Sequence, residues 1–120
     1  MRVYPLSRPI VDTDMADLGD PKDLGGRVLS GSPRISARVD FQDGGMTAGV
    51  FEATTGTVEI HFPFTEHATI LEGRVTITDE TGKSHTYGPG DSYLIRQGQV
   101  VRWEVAGERV RKSFFNIARA

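Results

Sequence analysis

Thr57-Val58-Glu59-Ile60-His61-Phe62, continuing as Pro63-Phe64-Thr65-Glu66, is the stretch on which the fold turns. Its first six residues alternate, with Val58, Ile60 and Phe62 on one face and Thr57, Glu59 and His61 on the other. A period of two is that of a β-strand with two chemically different faces. Outward from it the same alternation recurs over 35–41, 46–53, 66–71, 74–78, 84–87, 92–95, 100–105 and 109–117. Between these segments stand Asp43-Gly44-Gly45, Thr55-Gly56, Asp79-Glu80-Thr81-Gly82, Gly88-Pro89-Gly90-Asp91, Gln97-Gly98 and Ala106-Gly107, the residue types tight turns require. Short strands punctuated by glycine predict an all-β antiparallel sandwich or barrel. No helical period is visible beyond residue 35.

The first 32 residues read differently. They hold Pro5, Pro9, Pro21, five Asp and a single aromatic residue, Tyr4, too little to form a core. The expected division is an N-terminal arm over 1–32 and one barrel domain over 33–120, with a short helix over 12–18. The arm is either draped over the domain or a partner, or loose. A chain of 120 residues has room for one core. Lys and Arg number 14 against 16 Asp and Glu, so the charge balance gives no reason to expect nucleic acid or an anionic membrane as partner. No run approaches the roughly 20 apolar residues of a membrane span, and the start lacks a signal peptide's apolar stretch. A cytoplasmic location is the expectation. With 0 Cys, disulfides, cysteine-based metal sites and thiol nucleophiles are excluded. With 3 His, a metal site needs carboxylates to complete it.

Glu66 is followed after six residues by Gly73, and Gly90 after five residues by Arg96, then Gln97-Gly98 and Trp103. With Glu59-x-His61 ahead of them, these spacings resemble the two motifs of the cupin superfamily. Ile70-Leu71-Glu72-Gly73-Arg74-Val75 and the later Val110-Arg111-Lys112 are similar to one branch, the ureidoglycine aminohydrolase-like cupins and their ethanolamine-utilisation relatives. The resemblance covers about residues 46–117. It implies an antiparallel double-stranded β-helix, the cupin jelly-roll barrel, with the polar face of 57–62 pointing into the barrel mouth. It also implies a metal site in which Glu59, His61 and Glu66 hold one divalent ion, Mn, Fe or Zn. The pattern departs at Ala53, Arg96, Val101 and Val105; Val101 stands where the fourth ligand is usual, with Gln99 or a water as its replacement.

Taken without the resemblance, the alternation puts Val58, Ile60 and Phe62 in the core and leaves Glu59 and His61 in water. Lys112 shares a face with Val110 and Phe114, and an inward Lys needs a carboxylate, Glu66 or Glu59. A Glu66–Lys112 pair and a dication at Glu66 are nearly exclusive, since like charges repel. Trp103 is a pocket wall or a core residue, and Gln99 a neighbour of the bound molecule. His67 has the opposite parity to Glu66 and is expected at the surface, as is His85. Arg102, Arg109 and Arg111, offset by Glu104 and Glu108, read as solvated strand faces.

Two functions follow, beside a third reading, an interaction or scaffold module whose barrel mouth is filled. One is a metal-dependent enzyme, ureidoglycine aminohydrolase-like, acting on a small polar nitrogen-containing carboxylate. Glu59, His61 and Glu66 would hold the metal, and Lys112 and Glu66 would serve as catalytic groups. The other is a metal-free, ligand-binding or accessory cupin whose pocket is defined by Glu66, Trp103 and Lys112. A small-molecule ligand and a homodimer are expected in both.

Overall fold

The structure, a computed structural model, describes residues 1–6 and 14–119. The strands are β1 (Ala16–Gly19), β2 (Gly26–Gly31), β3 (Ile35–Asp43), β4 (Met46–His61), β5 (Thr65–Glu72), β6 (Val75–Thr78), β7 (Ser84–Tyr87), β8 (Ser92–Ile95) and β9 (Val100–Ile117). Every pairing is antiparallel. The two longest strands, β4 and β9, pair along their whole length and bend together, so a single sheet folds into two layers. One layer runs β1-β3-β4-β9-β5-β8 and the other β2-β4-β9-β6-β7. This is a double-stranded β-helix, the jelly-roll architecture of the cupins.

The bend is where Thr55-Gly56 and Ala106-Gly107 were expected to turn. Neither is a turn. Thr54 pairs with Arg109 and Gly56 with Val105, so Thr55 alone faces three residues of β9. This is a bulge, and bulges bend strands sharply. The Thr55 hydroxyl donates to the Gly107 and Glu108 carbonyls, which ties the bulge down. Gly56 has φ 152°, and a Cβ there would lie 2.7 Å from Pro33. A bend and a hairpin ask for the same residue types. Gly73, the motif glycine, sits at φ 78° with its backbone against the Arg109 carbonyl, where a Cβ would overlap the oxygen.

Inside 1–32, β1 pairs with β3 and β2 with β4, on either side of a 3-10 turn at Pro21–Leu24. The expected helix over 12–18 does not form where it is described. Residues 16–18 belong to β1, which gains backbone hydrogen bonds to β3, and residues 12 and 13 lie outside the described residues. Near the start of the chain, the Tyr4 hydroxyl donates to Asp40 Oδ2 at 2.8 Å. Burial works against the Asp40 charge, but bonds from Arg38 and Tyr4 outweigh it and hold this carboxyl below the ordinary range. Among the described residues no helix is long and apolar enough to cross a membrane.

Apolar side chains of both layers meet between the sheets, among them Ile70, Val75, Trp103, Val105 and Val110. The outer face of β9 holds a polar centre. Arg111 is 1% exposed and donates from Nε to Glu52 Oε1 at 2.9 Å. Arg109 lies 3.2 Å from Glu52 and 3.4 Å from Glu72. Arg111 is therefore not a solvated charge. It stands opposite Glu52 on β4 and Glu72 on β5, so carboxylates flank it on both sides.

Candidate functional site

Between the two layers lies a cavity of about 510 Å³. Its walls are apolar: Phe51, Val58, Ile60, Phe62, Trp103 and Phe114 line it, with Leu18, Pro21 and Ile35 contributed from the N-terminal side. A volume of this size is that of a small-molecule site, roughly 300–1,000 Å³. Among the described residues lining it, Glu66 and Lys112 carry charge.

Glu66 enters the barrel from the start of β5, and Lys112 from the second half of β9, two strands paired in register. Lys112 Nζ donates to Glu66 Oε2 at 2.8 Å and to the Tyr93 hydroxyl oxygen at 2.6 Å. The Tyr93 hydroxyl donates to the same Glu66 Oε2 at 2.6 Å. The three groups close a triangle inside the fold. Burial, then the Glu66 charge and the hydrogen bond to it, push the Tyr93 hydroxyl well above its ordinary pKa, so it stays protonated. Nζ also lies 4.6 Å from the Trp103 ring centre, 4.7 Å from Phe51 and 5.4 Å from Tyr93, placing the ammonium in an aromatic box. Taking two ions out of water costs several kcal/mol each. The carboxylate, the hydroxyl and the ring faces together offset it.

The expected ligand set of Glu59, His61 and Glu66 is not brought together. Glu59 and His61 share a face, 3.9 Å apart, but it is the outer face. Val58, Ile60 and Phe62 take the inside, where burying each apolar side chain stabilises by about 1.5–3 kcal/mol. Glu59 pairs instead with Arg27 of β2 at 3.2 Å, and the His61 side chain is 70% exposed. Glu66 does not join them. The chain instead crosses at Pro63-Phe64 from one layer to the other, and β5 pairs with β8 and β9 rather than with β4. Among the described residues no three His, Asp or Glu are placed to hold a metal ion. At Glu66 the position a dication would take is beside the Lys112 ammonium, so the donor set does not fit the ion the resemblance implied.

Gln99 is likewise not in the cavity wall. Its Oε1 accepts from the Arg96 backbone N–H at 2.8 Å and closes the turn between β8 and β9. Trp103 is both core and wall, buried and facing the cavity. His67 and His85 are exposed. Three residues that belong to the site carry no legible signal in the sequence: Tyr93, Phe51 and Asn116. Tyr93 has an alternating strand around it, but nothing local says that it meets a residue 27 positions away.

The sequence profile of the EutQ-like cupin domain matches residues 41–114. No curated protein matches the chain. Among solved structures, the Clostridium difficile EutQ protein superposes with a TM-score of 0.67 at 16% identity, over 92% of this chain and 81% of that one. A putative ethanolamine utilization protein Q from Salmonella typhimurium gives 0.63 at 17% identity, over 72% of each chain. A DUF861 protein of unknown function from Pseudomonas syringae gives 0.76 at 24% identity, over 92% of this chain and 46% of that one. At these identities the likeness is one of fold.

Proposed function

The chain belongs to the EutQ-like cupin domain family, and from that premise we propose that it binds a small organic molecule inside the barrel without a metal. The observation that carries this is the Glu66–Tyr93–Lys112 triangle at the wall of a 510 Å³ apolar cavity. Lys112 stands where an interior cation is wanted, held by Glu66 and Tyr93, and Trp103 and Phe51 form its box. The aminohydrolase-like alternative needs Glu59 and His61 beside Glu66, and their outer-face placement gives it no support.

Trp103 is the only tryptophan and lines the cavity, so its emission reports occupancy. Titration with benzyl alcohol is expected to shift that emission saturably. Ile60→Phe, which fills the cavity from its wall, is expected to abolish the shift. A linear, unsaturable response in both proteins would contradict the proposal.

The expected homodimer is proposed through the outer face of the first layer. Phe41, Ala48, Phe115, His67 and Leu94 lie in one row across β3, β4, β9, β5 and β8 by register. Phe41, Leu94 and Phe115 are exposed there. A row across five strands that is apolar except at His67 marks an interaction surface, and two copies related by a two-fold axis cover it mutually. Light scattering is expected to give the mass of two chains, and of one chain for Leu94→Glu. A single-chain mass for the unaltered protein would overturn this.

A further inference from the structure

We infer that the molecule this cavity accepts is uncharged and largely apolar, with a single head group that both donates and accepts hydrogen bonds, such as a primary amide or an alcohol. The inference rests on the proposal that the cavity binds a small molecule, and it names that molecule's class.

Charge balance is the first ground. The Glu66–Lys112 pair is neutral as a whole, and Tyr93 beside it stays protonated. No other charged side chain lines the cavity among the described residues. A carboxylate entering it would lose its hydration and meet the Glu66 carboxylate. It would gain Lys112 only by displacing Glu66, which would then be buried and unpaired. An ammonium would lose its hydration and meet Lys112. Neither ion finds an unmatched countercharge, and an uncompensated charge in an apolar site is costly.

The second ground is the set of polar atoms left without partners. Asn116 is 6% exposed and lines the cavity, yet its side-chain amide makes no hydrogen bond among the described residues. An asparagine amide offers two donors and an acceptor, and here they are open to the cavity and available to a bound molecule. Glu66 Oε1 is also free: both of the bonds that Glu66 accepts go to Oε2. Glu66 and Asn116 are directly opposed across β5 and β9, and both line the cavity. A head group that donates to Glu66 Oε1 and accepts from the Asn116 amide satisfies both. The remaining walls, Phe51, Val58, Ile60, Phe62 and Phe114, ask for an apolar body.

Three probes with one ring and different heads test this on the unaltered protein: benzamide, benzoate and benzylamine, the last cationic at neutral pH. Binding is read from Trp103 emission and from backbone amide shifts of isotope-labelled protein. Benzamide is expected to bind at least about tenfold more tightly than either ion, with shifts at Phe51, Trp103 and Asn116, and Asn116→Ala is expected to weaken it by about tenfold. The ranking of probes stands without the variant, so a poorly folding Asn116→Ala does not affect the test. Benzoate or benzylamine binding in the cavity as tightly as benzamide would overturn the uncharged class while leaving the cavity as the site. No cavity shift with any of the three would overturn both.

Discussion

Lys112→Met is expected to destabilise the protein by about 3–5 kcal/mol, the cost of leaving one partner of a buried ion pair alone. Methionine keeps the length and apolar body of the side chain but removes its charge. Glu66, 2% exposed, then retains only the Tyr93 hydroxyl as donor. Against a typical domain stability of about 5–15 kcal/mol, that is a large share, and a fall of about 10–20 °C in Tm follows for a chain of this size. Glu66→Gln is expected to cost less. The ammonium it leaves behind keeps the Tyr93 oxygen and the faces of Phe51 and Trp103. The double variant Lys112→Met with Glu66→Gln removes the orphan charge and is expected to recover more than half of the loss. Urea unfolding of the four proteins gives the coupling directly. A loss under about 0.5 kcal/mol for Lys112→Met, in the range of ordinary surface substitutions, would mean that the pair is not buried as described.

Arg111→Met is the second large effect, expected at about 2–4 kcal/mol. The guanidinium is enclosed and bonded to Glu52, with Glu72 Oε2 at 3.9 Å. Its removal leaves Glu52 with Arg109 at 3.2 Å and the Ser36 hydroxyl at 3.0 Å, so the carboxylate is not fully orphaned and the loss falls below that at Lys112. Arg111→Lys is expected to recover only part of it, since an ammonium lacks the planar fork that faces two carboxylates at once. The loss is expected to persist in about 1 M salt, where exposed pairs are screened and buried ones much less. A loss that vanishes in salt would place Arg111 at the surface.

Much of the fold is legible in the sequence because strand alternation and turn residues are local signals. The spacing from Glu66 to Gly73 carries a physical requirement, a positive φ with the backbone against the Arg109 carbonyl, and so survives as a motif. Thr55-Gly56 misleads because a bulge that bends β4 and a turn that ends it use the same residues. The site is harder to read for a different reason. Alternation over 57–62 separates two faces but does not say which turns inward, and the resemblance argued for the polar one. The apolar face is inside because Val58, Ile60 and Phe62 gain burial there, while Glu59 finds Arg27 of β2 on the outside. Lys112 and Glu66 are legible as a pair because each needs the other once both face in. Tyr93, which completes them, joins through a strand contact that leaves no local trace in the sequence.

Elemental analysis of protein purified without chelator tests the central claim most directly, that the barrel's interior cation is Lys112. Less than about a tenth of a Mn, Fe or Zn ion per chain is the expected result, with thermal stability unchanged by a strong chelator. Near-stoichiometric metal, lost in Glu59→Ala and in His61→Ala, would contradict it, for those two residues would then have to face inward beside Glu66.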